Sequence, residues 1–257
     1  GDELLMRTLV HYIPIATSLF SLAFSWALLR RWRARGGLHL FWWGVGALMY
    51  SVGTITESIT TLLGWHEPVF RAWYISGALL GGAPLAQGTV YLLLSRRTAN
   101  RLTVLLLAVV AVAATFVLLT PIDRSVVETY RLTGAVMEWS WVRGFSPFIN
   151  LYAATFLIGG AVLSAVRYRR IPGMGNRVIG NVLIAVGALL PGIGGTFTRF
   201  GHVEVLYVTE FIGILLIYAG YRYNIATGPS PFGRESATGA VSRVAAAPAP
   251  GQPLQER

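Results

Sequence analysis

The sequence predicts an all-α fold, a polytopic bundle of seven transmembrane helices, and three observations support this prediction. Of the 257 residues, 54% are hydrophobic and only 12% are charged, whereas about 25% are charged in an ordinary soluble domain. The apolar residues fall into seven stretches that are each long enough to cross a bilayer. Arginines gather in the connections on one side of these stretches, which is typical of a multi-pass membrane protein.

Each stretch is interpreted as a helical span, because roughly 20 apolar residues in a helix cover the hydrocarbon core of about 30 Å. The stretches are too long and too continuously apolar for barrel strands, which alternate over about 10 residues. The predicted spans cover residues 5–29, 38–63, 69–94, 102–119, 145–166, 178–200 and 203–221. They form a predicted transmembrane domain over 1–225, followed over 226–257 by a disordered cytoplasmic tail rich in Gly, Pro, Ser and Ala.

The charges predict that the N-terminus lies outside the cell and the C-terminus in the cytoplasm. Arginine clusters follow the first, third and fifth spans, and Arg222 ends the seventh, while the other connections hold the acidic residues. The first span is expected to be retained, because Asp2 and Glu3 precede it instead of the basic segment of a signal peptide. The expected location is the cell membrane, with the lipid bilayer as partner. No nucleic-acid partner is expected, since anionic lipid head groups account for the net charge of +10.

An internal repeat relates the second and sixth spans. Residues 45–49 (VGALM) match 186–190 (VGALL), and 53–56 (GTIT) match 195–198 (GTFT). Helices one to three and five to seven would then be two parallel copies joined by the fourth helix, a 3+1+3 arrangement. The alternative is chance similarity among small apolar residues, which recur in any membrane helix.

The 3+1+3 layout resembles two architectures in outline only, the microbial-rhodopsin-like bundle and the small sugar transporters with parallel triple-helix repeats. The retinal proteins bind their chromophore through a lysine, and this chain has no lysine. A retinal Schiff base is therefore excluded. The Pro-Gln signature of the sugar transporters is also missing from the sequence, so neither resemblance extends to a motif.

Ionisable residues inside spans cost several kcal/mol unless they are paired or hydrated, so each is a candidate for function. Glu57 and Glu210 lie about two turns from the outer ends of their spans, and Arg71 and Arg199 lie at outer span ends. The predicted ligand-binding residues of an outward-facing pocket are Glu57, Arg71, Tyr74, Asn150, Arg199, Tyr207 and Glu210. The alternative is that two ion pairs, Glu57–Arg71 and Glu210–Arg199, lock the helices together.

Other polar residues and prolines within the spans are expected to shape the bundle. Gln87 and Asn181 are interpreted as partners in interhelical hydrogen bonds, each worth only about 1 kcal/mol. Pro84 and Pro191 lie within the third and sixth spans, where a missing backbone donor predicts kinks and candidate hinges.

Several kinds of chemistry are not indicated. The chain has no cysteine, and its four histidines include no pair with the i,i+4 spacing of a helical metal motif. No metal, haem or other cofactor is expected, although His11 and His202 both approach the outer face. No catalytic residues are assigned, since Glu57 and Glu210 are the one carboxylate pair available for acid–base work on a lipid and nothing indicates a substrate.

The favoured hypothesis is a non-enzymatic, receptor- or sensor-like protein that binds a small polar ligand or a lipid. It would need a separate cytoplasmic protein partner to carry a signal. The alternative is a small-solute or proton-coupled transporter, in which two three-helix repeats rock about a central site and a water path runs from Glu57 past Gln87. A lipid-modifying enzyme and an accessory subunit of a larger complex remain further hypotheses.

Overall fold

The structure is a computed structural model that describes residues 10–198 and 200–226. Within these residues 84% are helical and no strand forms, which confirms the predicted all-α class. Arg199 and nearly all of the predicted tail lie outside the described residues, as do residues 1–9 at the start of the first predicted span.

The helices of the described residues follow the predicted stretches closely, and two of them continue into π-helical turns. We number the α-helices in chain order: α1 (Ile13–Arg35), α2 (Leu38–Leu63), α3 (Glu67–Trp73), α4 (Ala83–Leu93), α5 (Arg96–Leu119), α6 (Phe145–Ala153), α7 (Gly159–Arg169), α8 (Gly175–Thr198) and α9 (Val203–Ile225). Two π segments continue α3 and α6, over Tyr74–Leu79 and Ala154–Ile158. Three short 3₁₀ turns lie between α5 and α6.

Six helical stretches of the described residues are long and apolar enough to cross a membrane: α1, α2, α5, α8, α9 and the continuous stretch Ser140–Arg169 that contains α6 and α7. This architecture indicates an integral membrane protein with several spans. The helices run alternately up and down, so the arginines that follow α1 and precede α5 share one end of the bundle. We refer to this as the arginine-rich end.

The third predicted span is not one continuous helix. It consists of α3, the π segment Tyr74–Leu79, a bend at residues 80–82, and α4. Glycines weaken the helix at the bend, and Pro84 lies in the first turn of α4, where its missing N–H costs no hydrogen bond. Pro84 therefore begins a helix, whereas a kink within one was predicted. A single seventh membrane-crossing helix is not found here.

The connection between α5 and α6, residues 120–144, lies at the opposite end of the bundle, and we call it the lid segment. Its two arms run antiparallel, with a bridge between Ile122 and Met137. The backbone N–H of Asp123 donates to the carbonyl of Val136 at 2.8 Å. The longest connection of the chain is thus an ordered hairpin rather than an open loop, and we call this side of the bundle the lid end.

A capped turn and a buried face stabilise the lid segment. Asp123 Oδ1 accepts hydrogen bonds from the backbone N–H and the hydroxyl of Ser125, at 2.9 and 2.6 Å. These two bonds hold the pKa of Asp123 below its usual range, so the turn keeps a charged acceptor at neutral pH. Val136 and Val142 are fully buried in a core cluster that includes Phe70.

Small polar residues join α1 to α2. Ser18, Ser21 and Ser25 lie on one face of α1 and are buried. The Ser18 and Thr54 hydroxyls are 2.8 Å apart, and the Ser25 hydroxyl donates to the carbonyl of Gly44 at 2.7 Å. Small side chains let the two helices approach closely, and their hydroxyls bond across the interface, as is typical of helix pairs in membranes.

Glycines spaced seven residues apart join α8 to α9. Gly180 and Gly187 on α8 face Gly220 and Gly213 on α9. A Cβ added to Gly187 would lie 2.6 Å from the carbonyl oxygen of Gly213, and one added to Gly213 would lie 2.7 Å from that of Gly187. The backbones are in direct contact, so only glycine fits at these positions. We call this contact the glycine seam.

Gly187→Ala is predicted to lower the free energy of unfolding by about 1–3 kcal/mol, because the added methyl group forces the two backbones apart. Gly195→Ala is a matched control in the same helix, since a Cβ there meets nothing within 4 Å. Thermal unfolding of the purified protein in detergent measures both. Equal melting temperatures for the two variants would show that the seam tolerates a side chain.

Candidate functional site

A cavity of about 1120 Å³ lies between α2, the two π segments, α8 and α9, beneath the lid segment. Glu57 of α2 and Glu210 of α9 line it. By the helix rise, both residues lie about 10 Å from the lid end of their helices. The two acidic residues predicted at matching depths are thus brought to one cavity.

The carboxyl group of Glu57 is buried and only half satisfied. The side chain of Glu57 is 5% exposed. Its Oε1 accepts a hydrogen bond from the indole N–H of Trp73 at 3.0 Å. Its Oε2 is buried and has no hydrogen-bond donor among the described residues. The π segment beginning at Tyr74 directly follows Trp73, so the broken third span places the indole here.

Glu210 lies beside Glu57 in the same cavity. The two carboxyl groups are within hydrogen-bonding reach of each other. In the described part of the chain, Oε2 of Glu210 also has no donor. The hydroxyl of Tyr50 donates to the backbone carbonyl of Glu210 at 2.8 Å. Tyr50 and Tyr207 both lie close enough to interact electrostatically with the two carboxyl groups.

Arg71 does not pair with Glu57, contrary to the ion-pair alternative. Its guanidinium forms an ion pair with Glu67, 2.7 Å away and one helical turn earlier on α3. It also donates to the carbonyl of Thr120 at 3.0 Å and to that of Val117. Arg71 is among the residues that line a separate shallow pocket of about 730 Å³ and is absent from the lining of the main cavity. The reason is local, since Glu67 offers a nearer partner at i,i+4.

The other predicted binding residues that can be placed do line the cavity. Tyr74, Asn150 and Tyr207 are all in its wall. The amide of Asn150 donates to the carbonyl of Ala78 at 3.2 Å, and the hydroxyls of Tyr207 and Thr61 are 3.3 Å apart. Ala78 belongs to a π segment, whose altered hydrogen bonding leaves carbonyls available to side chains, a feature often found at functional sites. The position of Arg199 lies outside the described residues.

The lid segment contributes cavity residues that the sequence reasoning missed. Arg131, Thr133 and Arg143 line the cavity from this side. Arg131 pairs with Glu128 at 2.9 Å and donates to the carbonyl of Thr198 at 2.9 Å, which ties the lid segment to the end of α8. The sequence contained an indication of this, because arginines are expected in cytoplasmic connections and these lie in a predicted outer one.

Gln87 is fully buried away from the cavity and links three helices. Its amide donates to the hydroxyl of Thr103 at 2.7 Å and to the carbonyl of Ala99 at 3.2 Å. Its side-chain oxygen accepts from the hydroxyl of Tyr152. Gln87 is not part of the cavity wall, so the structure does not place it on a water path from Glu57.

Asn181 and Pro191 have different surroundings. The Asn181 amide donates to Asn224 at 3.2 Å and to its own helix, which links α8 and α9 near the arginine-rich end. Pro191 lies inside α8, lines the cavity and faces Gly213 of the glycine seam. Neither arrangement by itself shows a movement, and the hinge role of Pro191 stays a prediction.

The described residues include no cluster of three or more His, Asp or Glu side chains that would hold a metal ion. The ring of His11 contacts that of Tyr207 edge to face, with centroids 6.2 Å apart. His11 therefore packs beside the cavity as an aromatic neighbour.

Comparisons with known protein families, with curated proteins and with solved structures find no match. The function of this chain therefore has to be inferred from the cavity and its carboxyl pair.

Gln87→Leu is predicted to lower the free energy of unfolding by about 1–3 kcal/mol, because three hydrogen bonds between helices are lost and the partly buried hydroxyl of Tyr152 loses its acceptor. Thr115→Val is the control, since that exposed hydroxyl bonds only to a carbonyl of its own helix. Chemical or thermal unfolding in detergent provides the measurement. A Gln87→Leu protein as stable as the parent would remove Gln87 from the structural network.

Proposed function

We propose that this protein binds a small polar ligand or a lipid in a pocket that opens to the outside of the cell. In this proposal it is a seven-span protein of the cell membrane, with α3 and α4 together forming the third span and the N-terminus outside. The lid end is then the outer end. The function is receptor- or sensor-like, without retinal or another cofactor, and a separate cytoplasmic protein partner carries the response.

The observation that supports the proposal is a carboxyl pair facing a large cavity. A purely structural role for Glu57 and Glu210 would require donors for their buried oxygens, because an unsatisfied polar group costs free energy. Apart from a proton shared between the two carboxyl groups, the described residues provide no donor for Oε2 of either residue. A cavity of about 1120 Å³ is slightly larger than the usual ligand pocket of about 300–1,000 Å³. A bound ligand would supply the missing partner.

The transporter hypothesis is the second candidate, and the depth of the cavity favours it. The cavity reaches Ile217 on α9, about 10 Å further toward the arginine-rich end than Glu210 by the helix rise. In this alternative the two proposed triple-helix repeats of the 3+1+3 arrangement rock about the cavity and open it to the cytoplasm. A receptor would keep the arginine-rich end closed.

Cysteine accessibility tests the outward pocket, and the absence of native cysteines makes the test clean. Ala188→Cys, in the cavity wall, is predicted to react with a membrane-impermeant thiol reagent added outside. Ala86→Cys is the control and should stay unreactive, because Ala86 is fully buried and is not part of that wall. Intact cells labelled from outside provide the measurement. An unreactive Ala188→Cys would contradict an outward-facing pocket.

The same approach separates receptor from transporter. Ile217→Cys is expected to react only from the outside in a receptor, and from both sides in a transporter that alternates between two open states. Inside-out vesicles give access from the cytoplasmic side. Labelling from the inside would exclude a pocket that is permanently closed there.

Filling the cavity is predicted to expel a co-purified ligand. Gly192 lines the cavity, and a Cβ added there meets nothing within 4 Å, so Gly192→Trp places an indole in open space. Gly159→Trp is the control, at another open glycine that is not part of the cavity wall. Native mass spectrometry of the parent and both variants compares the bound mass. A ligand retained equally by all three would lie elsewhere.

A further inference from the structure

We infer that the ligand carries a single positive charge on an amine or quaternary ammonium group, which is seated on the Glu57–Glu210 carboxyl pair. This inference rests on the proposed pocket and names the chemical class of its occupant. Four features of the cavity support it: the charge of the pair, the aromatic side chains around it, the arginines of the lid segment, and the apolar deeper wall.

The charge of the pair comes first. Two ionised carboxylates in contact away from water repel each other strongly, and one proton held between them removes this repulsion. The protonated group then acts as a donor to the other carboxyl group. One negative charge remains, and no arginine of the described residues forms an ion pair with Glu57 or Glu210. A monocation neutralises this charge.

Aromatic side chains surround the carboxyl pair. Trp73, Tyr50, Tyr74 and Tyr207 all line the cavity. The indole N–H at the edge of Trp73 donates to Glu57, so the faces of its ring stay available to a ligand in the cavity. The faces of aromatic rings attract alkylammonium groups, and tryptophan attracts them most strongly. A carboxylate together with several aromatic rings favours an organic cation over a hydrated inorganic ion.

The lid segment limits the charge of the ligand. Arg131 and Arg143 line the cavity on the lid side, and they would repel a second positive charge at that end of the ligand. An anionic or neutral group fits there, so a zwitterion is accommodated as well as a simple amine. A divalent metal ion is disfavoured, because the described residues offer no cluster of three metal-binding side chains.

The deeper wall indicates an apolar body attached to the amine. Leu85, Leu157 and Ile217 line the cavity beyond the carboxyl pair, and contacts with them exclude water from that end. Asn150 on α6 and Thr196 on α8 are exposed and belong to the same wall. A soluble amine that enters past the lid segment and an aminolipid head group that enters from the bilayer share the required chemistry.

Reagents of opposite charge test the inference directly. Full-length Ala188→Cys protein is treated with a trimethylammonium methanethiosulfonate and, separately, with a sulfonate methanethiosulfonate, and each rate is divided by the rate with a free thiol. The negative carboxyl pair is expected to favour the cationic reagent by about 10- to 1,000-fold. Equal rates would overturn the cation site while leaving the outward pocket in place. No reaction with either reagent would overturn both.

Glutamine substitutions count the charges, since glutamine resembles a protonated glutamic acid. Glu57→Gln alone is expected to keep most of the preference for the cationic reagent, because the pair holds one proton in the parent protein. Glu57→Gln with Glu210→Gln is expected to abolish the preference. Glu204→Gln, in the first turn of the same helix α9, controls for general charge loss. A preference for the cationic reagent that persists in the double variant contradicts the inference.

Arg199→Gln tests whether that arginine neutralises the carboxyl pair. A preference for the cationic reagent that increases severalfold in Arg199→Gln also contradicts the inference.

Protection of Ala188→Cys distinguishes the two sources of the amine. The protein is placed in nanodiscs of phosphatidylglycerol, and benzyltrimethylammonium is added as a soluble amine. A second preparation replaces part of the lipid with phosphatidylethanolamine. Slower labelling with the soluble amine identifies access past the lid segment, and slower labelling with the aminolipid alone identifies access from the bilayer. If neither slows the reaction, the amine class is wrong.

Discussion

The arrangement of this bundle depends on holding two carboxyl groups together inside an apolar protein. Glu57 and Glu210 belong to helices far apart in sequence, and each would be costly alone in the membrane. Their oxygens compete for few donors, of which the Trp73 indole is one. The surrounding structure places the second carboxyl group and the cavity of about 1120 Å³ beside the first. The bundle therefore keeps a cavity where a well-packed core would normally exclude one.

Contacts between neighbouring helices hold Glu57 and Glu210 in place. The glycine seam brings the backbones of α8 and α9 into contact, and Gly213 lies three residues from Glu210. Buried serines of α1 bond to α2. Helix α2, which carries Glu57, therefore cannot slide along α1 without breaking hydrogen bonds such as Ser18–Thr54. Both contacts are tight and made by small residues. Close backbone packing is found in these two helix pairs, while residues of both π segments line the cavity.

The fold class and the depth of the two acidic residues could be predicted from the sequence, because the length of an apolar stretch and the rise of a helix are local properties. Five residues that the sequence predicted for one pocket line the same cavity in the structure: Glu57, Tyr74, Asn150, Tyr207 and Glu210. The alternative ion pair Glu57–Arg71 was chosen by depth alone, whereas Arg71 pairs with Glu67 at i,i+4. Which helices are neighbours, and how a hairpin folds over them, depends on contacts distant in sequence. For this reason the role of Arg131 and Arg143 was not predicted.

The break in the third predicted span, between α3 and α4, follows from local sequence and also makes contacts with residues distant in the chain. In a continuous helix the interior N–H and C=O groups bond to each other, so a break within a membrane span leaves backbone groups that need other partners. The carbonyl of Ala78, in the π segment, accepts hydrogen bonds from Ser146 and Asn150 of the neighbouring helix α6. The same break sets Trp73 against Glu57. The π segment thus supplies a backbone acceptor to α6, and it directly follows the tryptophan that donates to Glu57.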